Sequence, residues 1–158
     1  SQVILVTTSK TILEDVEEEI YKQLEVLPRK DIAQVAINNS KLIFMDSEEK
    51  ALELINDYAP EHFIVCSKNE DFFINGIENA GSIFIGNFTP ESAGDYASGT
   101  NHTLPTNGYS KSYSGVNLDS FLKAMTFQKI SEKGIADAEG LQAHKNAVSL
   151  RLNTLKND

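Results

Sequence analysis

The sequence predicts an α/β protein: a mainly parallel sheet with flanking helices, followed by a short helical C-terminal tail. Two observations carry this expectation. Short apolar runs such as Val3-Ile4-Leu5-Val6, Leu42-Ile43-Phe44 and Ile83-Phe84-Ile85 read as buried strands. Between them lie segments with apolar residues at helical spacing, and strands alternating with helices argue for parallel pairing.

Val3–Val6 is the first strand. Ser9 supplies an N-cap for the helix after it, in which Ile12, Val16, Ile20 and Leu24 recur every four residues, so one face is expected to be buried. Pro28 breaks that pattern, and Ile32, Val35 and Ala36 suggest a second helix. Leu42–Phe44 is the next strand. Ser47 caps a helix with Ala51, Leu52, Ile55 and Tyr58 inward, which Pro60 ends. Phe63-Ile64-Val65 is a third strand, and Cys66, read as part of a strand, is most simply a small core residue. A helix around Phe72, Phe73 and Ile77 precedes the strand at Ser82–Gly86. From Asn87 to about Val116 the chain is rich in Gly, Ser, Thr and Asn, far longer than an ordinary connection. Asn117 then caps a helix with Leu118, Phe121, Leu122 and Met125 inward, and a last helix is expected from near Glu139 to Leu155. Residues 1–116 thus form an α/β body, an incomplete Rossmann-like domain. Residues 117–158 form a tail too small for a core of its own, expected to dock on the body or on a partner subunit.

Composition narrows the function classes. With 158 residues one domain is the default, and 41% apolar residues are enough for a core. The net charge is −9 and the basic residues are scattered, which argues against nucleic-acid binding. No apolar run approaches the length of a membrane span, and the first residues lack a secretory-signal pattern. The single cysteine excludes an internal disulfide and favours the cytoplasm.

The chemistry is concentrated in a few places. The chain has three histidines, and each lies within seven residues of a carboxylate. Histidine with a carboxylate suits proton transfer near neutral pH or the binding of a borderline metal. Gly94-Asp95-Tyr96-Ala97-Ser98-Gly99-Thr100-Asn101-His102 has no helical or strand periodicity, and its glycines would let a compact loop aim Asp95 and His102 into one cavity. An ordinary polar loop with Asp95 in an Asx-turn is the plainer alternative. Glu61-His62 precedes its strand, whereas ligands in open α/β sheets collect beyond the carboxyl ends of strands; a surface turn is the alternative there. Glu139 and His144 share a helix face only loosely. No G-x-G-x-x-G, C-x-x-C, H-E-x-x-H or P-loop is present.

Taken in order, Ala59-Pro60-Glu61-His62, Asn79-Ala80-Gly81-Ser82, Thr89-Pro90-Glu91-Ser92-Ala93-Gly94-Asp95-Tyr96, Gly99-Thr100-Asn101-His102, Leu104-Pro105-Thr106 and Ala143-His144-Lys145-Asn146-Ala147-Val148 resemble the C-terminal half of histidinol dehydrogenases. The resemblance covers the whole chain. It implies oxidation of L-histidinol to L-histidine through the aldehyde, the last step of histidine biosynthesis, with two NAD⁺ used in succession and a zinc ion that holds the substrate. By motif position it implies His62 as the general base and Glu61 as the residue that activates water in the second oxidation. Asp95 and His144 match zinc ligands, His144 being supplied to the partner subunit of a homodimer. His62, Asp95, Glu139 and His144 match substrate-binding positions, and His102 matches the pocket lining. The family's other two zinc ligands, a glutamine and a histidine three residues apart, are expected upstream of Ser1. The NAD-binding segment is expected outside the chain too, so no cofactor-binding residue is assigned and the fragment alone is expected to be inactive. The join from Lys133 to Glu139 is shorter than the family's connection. On the residues alone two other classes stay open: a stand-alone metal- or ligand-binding α/β module without catalysis, and a structural dimerisation module.

Overall fold

The computed structural model describes residues 1–129 and Leu150. The chain divides into two units, Ser1–Phe121 and Leu122–Asp158. The first unit runs β1 (Ile4–Thr7), α1 (Lys10–Val26), α2 (Lys30–Asn38), β2 (Lys41–Phe44), α3 (Glu48–Tyr58), β3 (His62–Val65), α4 (Glu70–Gly76), β4 (Ser82–Ile85) and α5 (Ser92–Tyr96), with 3-10 turns at Tyr109–Lys111 and Leu118–Phe121. In the second unit, residues 122–129 have no regular secondary structure and are exposed. The expected last helix lies outside the described residues, apart from Leu150, which is helical. Glu139 and His144 also lie outside them. No helix among the described residues is long and apolar enough to cross a membrane.

The strands form two parallel pairs among the described residues. β1 pairs with β2 from Ile4↔Lys41 to Thr7↔Phe44, and β3 pairs with β4 from His62↔Ser82 to Val65↔Ile85. A single core cluster draws on both pairs. Ala51 and Ile55 of α3, Val65 of β3 and Phe73 of α4 are buried together, and Val6, Met45 and Phe63 pack against them. Phe73 meets Phe72 and Phe63 edge-on, with centroids 5.3 and 6.5 Å apart, a favoured geometry for aromatic pairs.

Local chemistry explains the helix starts. Ser9 and Ser47 cap α1 and α3, each side chain accepting a backbone N–H three residues on. Glu48 and Glu49 place negative charge at the N-terminus of α3, where the helix dipole favours it. The expected buried face of α1 is only partly realised: Leu24 is buried, Val16 and Ile20 are half-buried, and Ile12 is exposed. A helix of 17 residues is about 25 Å long, and a two-stranded sheet is too narrow to cover it.

Two expectations are corrected. Cys66 is exposed rather than part of the core, because β3 stops at Val65 and the thiol lies beyond the pairing. The helix expected through Leu118, Phe121, Leu122 and Met125 is a single 3-10 turn followed by irregular backbone, and all four side chains are exposed. Asn117 does cap: its Oδ1 accepts from Ser120 N, while Ser120 Oγ accepts from Asn117 N. Such reciprocal local bonds satisfy one turn and compete with a longer helix. A helix this short needs a packed face, and these apolar side chains have no buried surface against them among the described residues.

The approach to β3 is tightly determined. α3 ends at Ala59, which adopts the left-handed conformation (φ 54°) and is 1% exposed. Its carbonyl accepts from Ser110 Oγ at 2.9 Å. Pro60 then directs Glu61 and His62 into the strand. The side chain of Asn56 ties α3 to the segment before β4: its Nδ2 donates to Gly76 O at 2.9 Å, and its Oδ1 accepts from Glu78 N at 2.8 Å and Asn79 N at 3.3 Å. Asn79 Nδ2 returns a bond to Asn56 O at 3.0 Å. Replacing Asn56 with Ala strands three backbone groups, of which water reaches only some. Stability is expected to fall by about 2 kcal/mol, read from the urea midpoint. An unchanged midpoint would show that the segment holds its course without these bonds.

Candidate active site

The register of β3 on β4 decides what meets what. Alternate residues of a strand face the same side, so Phe63 and Val65 enter the core while His62 faces the opposite side together with Phe84 of β4. The imidazole of His62 and the ring of Phe84 lie 5.9 Å apart between centroids, tilted by 31°. Phe84 is buried, although its side of the sheet faces away from the core cluster.

What covers Phe84 is the chain returning from β4. Gly86 turns it with φ 89°, and Thr89 Oγ1 donates to Ile85 O at 2.6 Å. Ala93 N donates to Pro90 O and Gly94 N to Glu91 O, which winds the chain into α5. Gly94 rests directly on Phe84: a Cβ there would stand 2.9 Å from Phe84 Cζ. Only a glycine lets α5 come this close. The approach brings Glu91 Oε1 to 3.5 Å from His62 Nε2. Asp95 joins them, and ligand atoms of His62, Glu91 and Asp95 all lie within 4.8 Å of one another.

The rest of the long segment is fastened too. Thr100 Oγ1 donates to Gly94 O at 3.1 Å. Leu104 packs where Gly81 and Gly115 leave room, since a Cβ on Gly115 would come within 2.6 Å of its Cδ2. Lys111 pairs with Asp57 at 3.1 Å.

Of the expected site residues, the structure brings His62 and Asp95 together, from positions 33 apart in sequence. Glu61 is half-buried beside His62, and its carbonyl accepts from Ser82 N at 2.9 Å. His102 is exposed and is not a member of the cluster that joins Asp95 to His62. Glu91 is the residue that sequence reasoning passed over. It lies four positions before Asp95, the spacing that puts two side chains on one helix face. The segment was expected to be irregular, and the short helix over Ser92–Tyr96 corrects that.

An imidazole nitrogen and two carboxylate oxygens at this separation can accept a divalent ion of borderline character, and the same groups can move a proton. A surface depression of about 460 Å³ lined by Leu52, Asn69, Asp71, Phe72, Asn75 and Gly76 shares no residue with the cluster and contains no histidine.

Comparison with known proteins bears on which chemistry the cluster serves. The family model "Histidinol dehydrogenase" matches residues 1–152. Histidinol dehydrogenase of Bacteroides thetaiotaomicron is 54% identical over 166 residues, covering 99% of this chain and 39% of the relative. The chloroplastic histidinol dehydrogenase of Arabidopsis thaliana is 49% identical over 167 residues, covering 99% of this chain and 36% of the relative. A crystal structure of histidinol dehydrogenase from Elizabethkingia anophelis superposes with a TM-score of 0.84 at 53% identity, covering 99% of this chain and 38% of that one. Both alignments run longer than the 158 residues of this chain, so those proteins carry residues that it lacks. The chain spans about 39% of the length of its bacterial relative. It belongs to the histidinol dehydrogenase family.

Proposed function

We propose that this chain supplies part of the active site of an enzyme that oxidises L-histidinol to L-histidine through the aldehyde, in cytoplasmic histidine biosynthesis. The observation that carries the reading is the cluster of His62, Glu91 and Asp95 in a chain of this family. His62 is the general base that takes the alcohol proton as hydride leaves, a task suited to imidazole near neutral pH. Glu61, its neighbour at the start of β3, activates the water that attacks the aldehyde.

The chemistry of the donors fits a zinc ion: Asp95, whose carboxylate belongs to the cluster, is proposed as one ligand and His144, outside the described residues, as another, oxygen and nitrogen donors of the kind zinc accepts. When bound, the ion would orient the amino and imidazole nitrogens of histidinol, and NAD⁺ would accept the hydride. Asp95, Glu139 and His144 then hold the substrate against His62, and orientation of this kind is a large rate factor. His102 stands outside the cluster and is proposed to line the substrate pocket of the complete enzyme. The NAD-binding segment is proposed to lie in the length of the relatives that this chain does not match, so the 158-residue chain alone is expected to be inactive. Histidinol-dependent NAD⁺ reduction by the pure chain would overturn that.

The body over residues 1–116 and the tail over 117–158 are proposed to act in different subunits of a homodimer. The exposure of Leu118, Phe121, Leu122 and Met125 supports this, because such side chains are rarely left bare together.

Two experiments on the complete enzyme test the reading. Replacing His62 with Asn keeps much of the side-chain shape and removes the base. kcat is expected to fall by about 10²–10⁴ with KM little changed; a near-normal kcat would place the base elsewhere. Mixing His144→Ala subunits with His62→Asn subunits tests the dimer. If the ligand crosses between subunits, one site of each mixed dimer carries both defects and the other none, so activity returns. Verified mixed dimers without activity would mean that each site is built within one chain.

A further inference from the structure

We infer that Glu91 is a positioning residue that fixes the imidazole of His62 for proton transfer, an assignment that rests on reading His62 as the base. The geometry is specific. Glu91 Oε1 stands 3.5 Å from His62 Nε2, and catalytic contacts of this length tighten to hydrogen bonds when substrate binds. A carboxylate there accepts the N–H of the nitrogen it faces, so the lone pair that takes the substrate proton is kept on the other nitrogen. It also faces the positive charge that the ring acquires on accepting that proton.

Both partners are held by elements other than their own contact. His62 is fixed as the first paired residue of β3, opposite Ser82. Glu91 is fixed by the turn into α5, where its carbonyl accepts from Gly94 N at 2.9 Å. Phe84 links the two, with the imidazole beside its ring and Gly94 resting on it. The imidazole thus has an aromatic ring on one side and a carboxylate at one nitrogen, and the same packing sets both distances. Asp95 sits one helical turn further on, within 4.8 Å of both. On this reading the two acids divide the work: Asp95 would serve the metal and substrate, and Glu91 holds the base. The side chains of His62 and Glu91 are 27% and 43% exposed, which leaves an isosteric amide at position 91 compatible with folding.

The test is a double-mutant cycle in the complete, zinc-loaded enzyme with Glu91→Gln, His62→Asn and the pair together, alongside Glu91→Asp. Glu91→Gln is expected to lower kcat by about 10- to 100-fold with KM within about twofold, and zinc content by elemental analysis should equal that of the parent. Glu91→Asp, which keeps the charge, should recover part of the loss. In the His62→Asn background, Glu91→Gln should cost less than about twofold more, because a residue acting through the imidazole has nothing left to act on. A full additional loss in that background would overturn the inference, as would loss of zinc from Glu91→Gln, which would make Glu91 a ligand. Near-normal kcat in Glu91→Gln would overturn it as well. Near-normal kcat in His62→Asn alone would remove the base reading and this inference with it, and is separately visible in the same cycle.

Discussion

The carbonyl of Glu61 is the point on which the rest of the site turns. Gly81 passes so close to it that a Cβ on Gly81 would stand 2.5 Å away, and Ser82 N donates to that same oxygen at 2.9 Å. Any side chain at position 81 would push β4 off this hydrogen bond, and a backbone oxygen cannot move aside as a flexible side chain would. The approach in turn depends on Asn56, which holds residues 76–79 with three bonds and so delivers the chain to Gly81 along one path. With that path set, Ser82 lies opposite His62 and Phe84 follows on the same face. A slip of one residue would reverse every side chain of β4 and remove the surface on which His62 rests.

The location of the cluster follows from this pairing rather than from the usual rule for open α/β sheets. His62 opens its strand, so the carboxyl ends of β3 and β4, at Val65 and Ile85, lie at the other end of the pair. The chain leaving β4 doubles back over the face that α3 and α4 do not occupy. Gly86 makes the reversal possible and Gly94 makes it close. A long connection that would otherwise carry unsatisfied backbone is fastened at Thr89, Thr100, Ser110 and Lys111, and this fastening lets exposed acids hold defined positions.

Strand and helix types were legible because their signals are local. Ser9 and Ser47 cap where expected, and the apolar runs pair as parallel strands. The errors came where a partner surface decides. Ile12 and Leu118 carry the right periodicity, but periodicity says which face wants burial and not whether anything is there to bury it. Within the site, His62 and Asp95 stood out as unusual residue types in unusual settings. Glu91 did not, since a glutamate after Thr-Pro reads as a helix start and nothing more. Its significance comes from the distance to a histidine 29 positions earlier, which only the β3–β4 register creates.

The wetness of the cluster bears on the proposed chemistry. An imidazole 27% exposed and a carboxylate 43% exposed are partly open to water, which competes for their hydrogen bonds and weakens their electrostatic coupling. Hydride transfer favours a site from which water is excluded. Phe88, Tyr96, Phe121 and Phe127 are all more than three-quarters exposed. Exposed rings of this size are what a protein ordinarily covers. The geometry that places Glu91 opposite His62 does not wait for such cover, because the β3–β4 register and the turn into α5 set it among themselves.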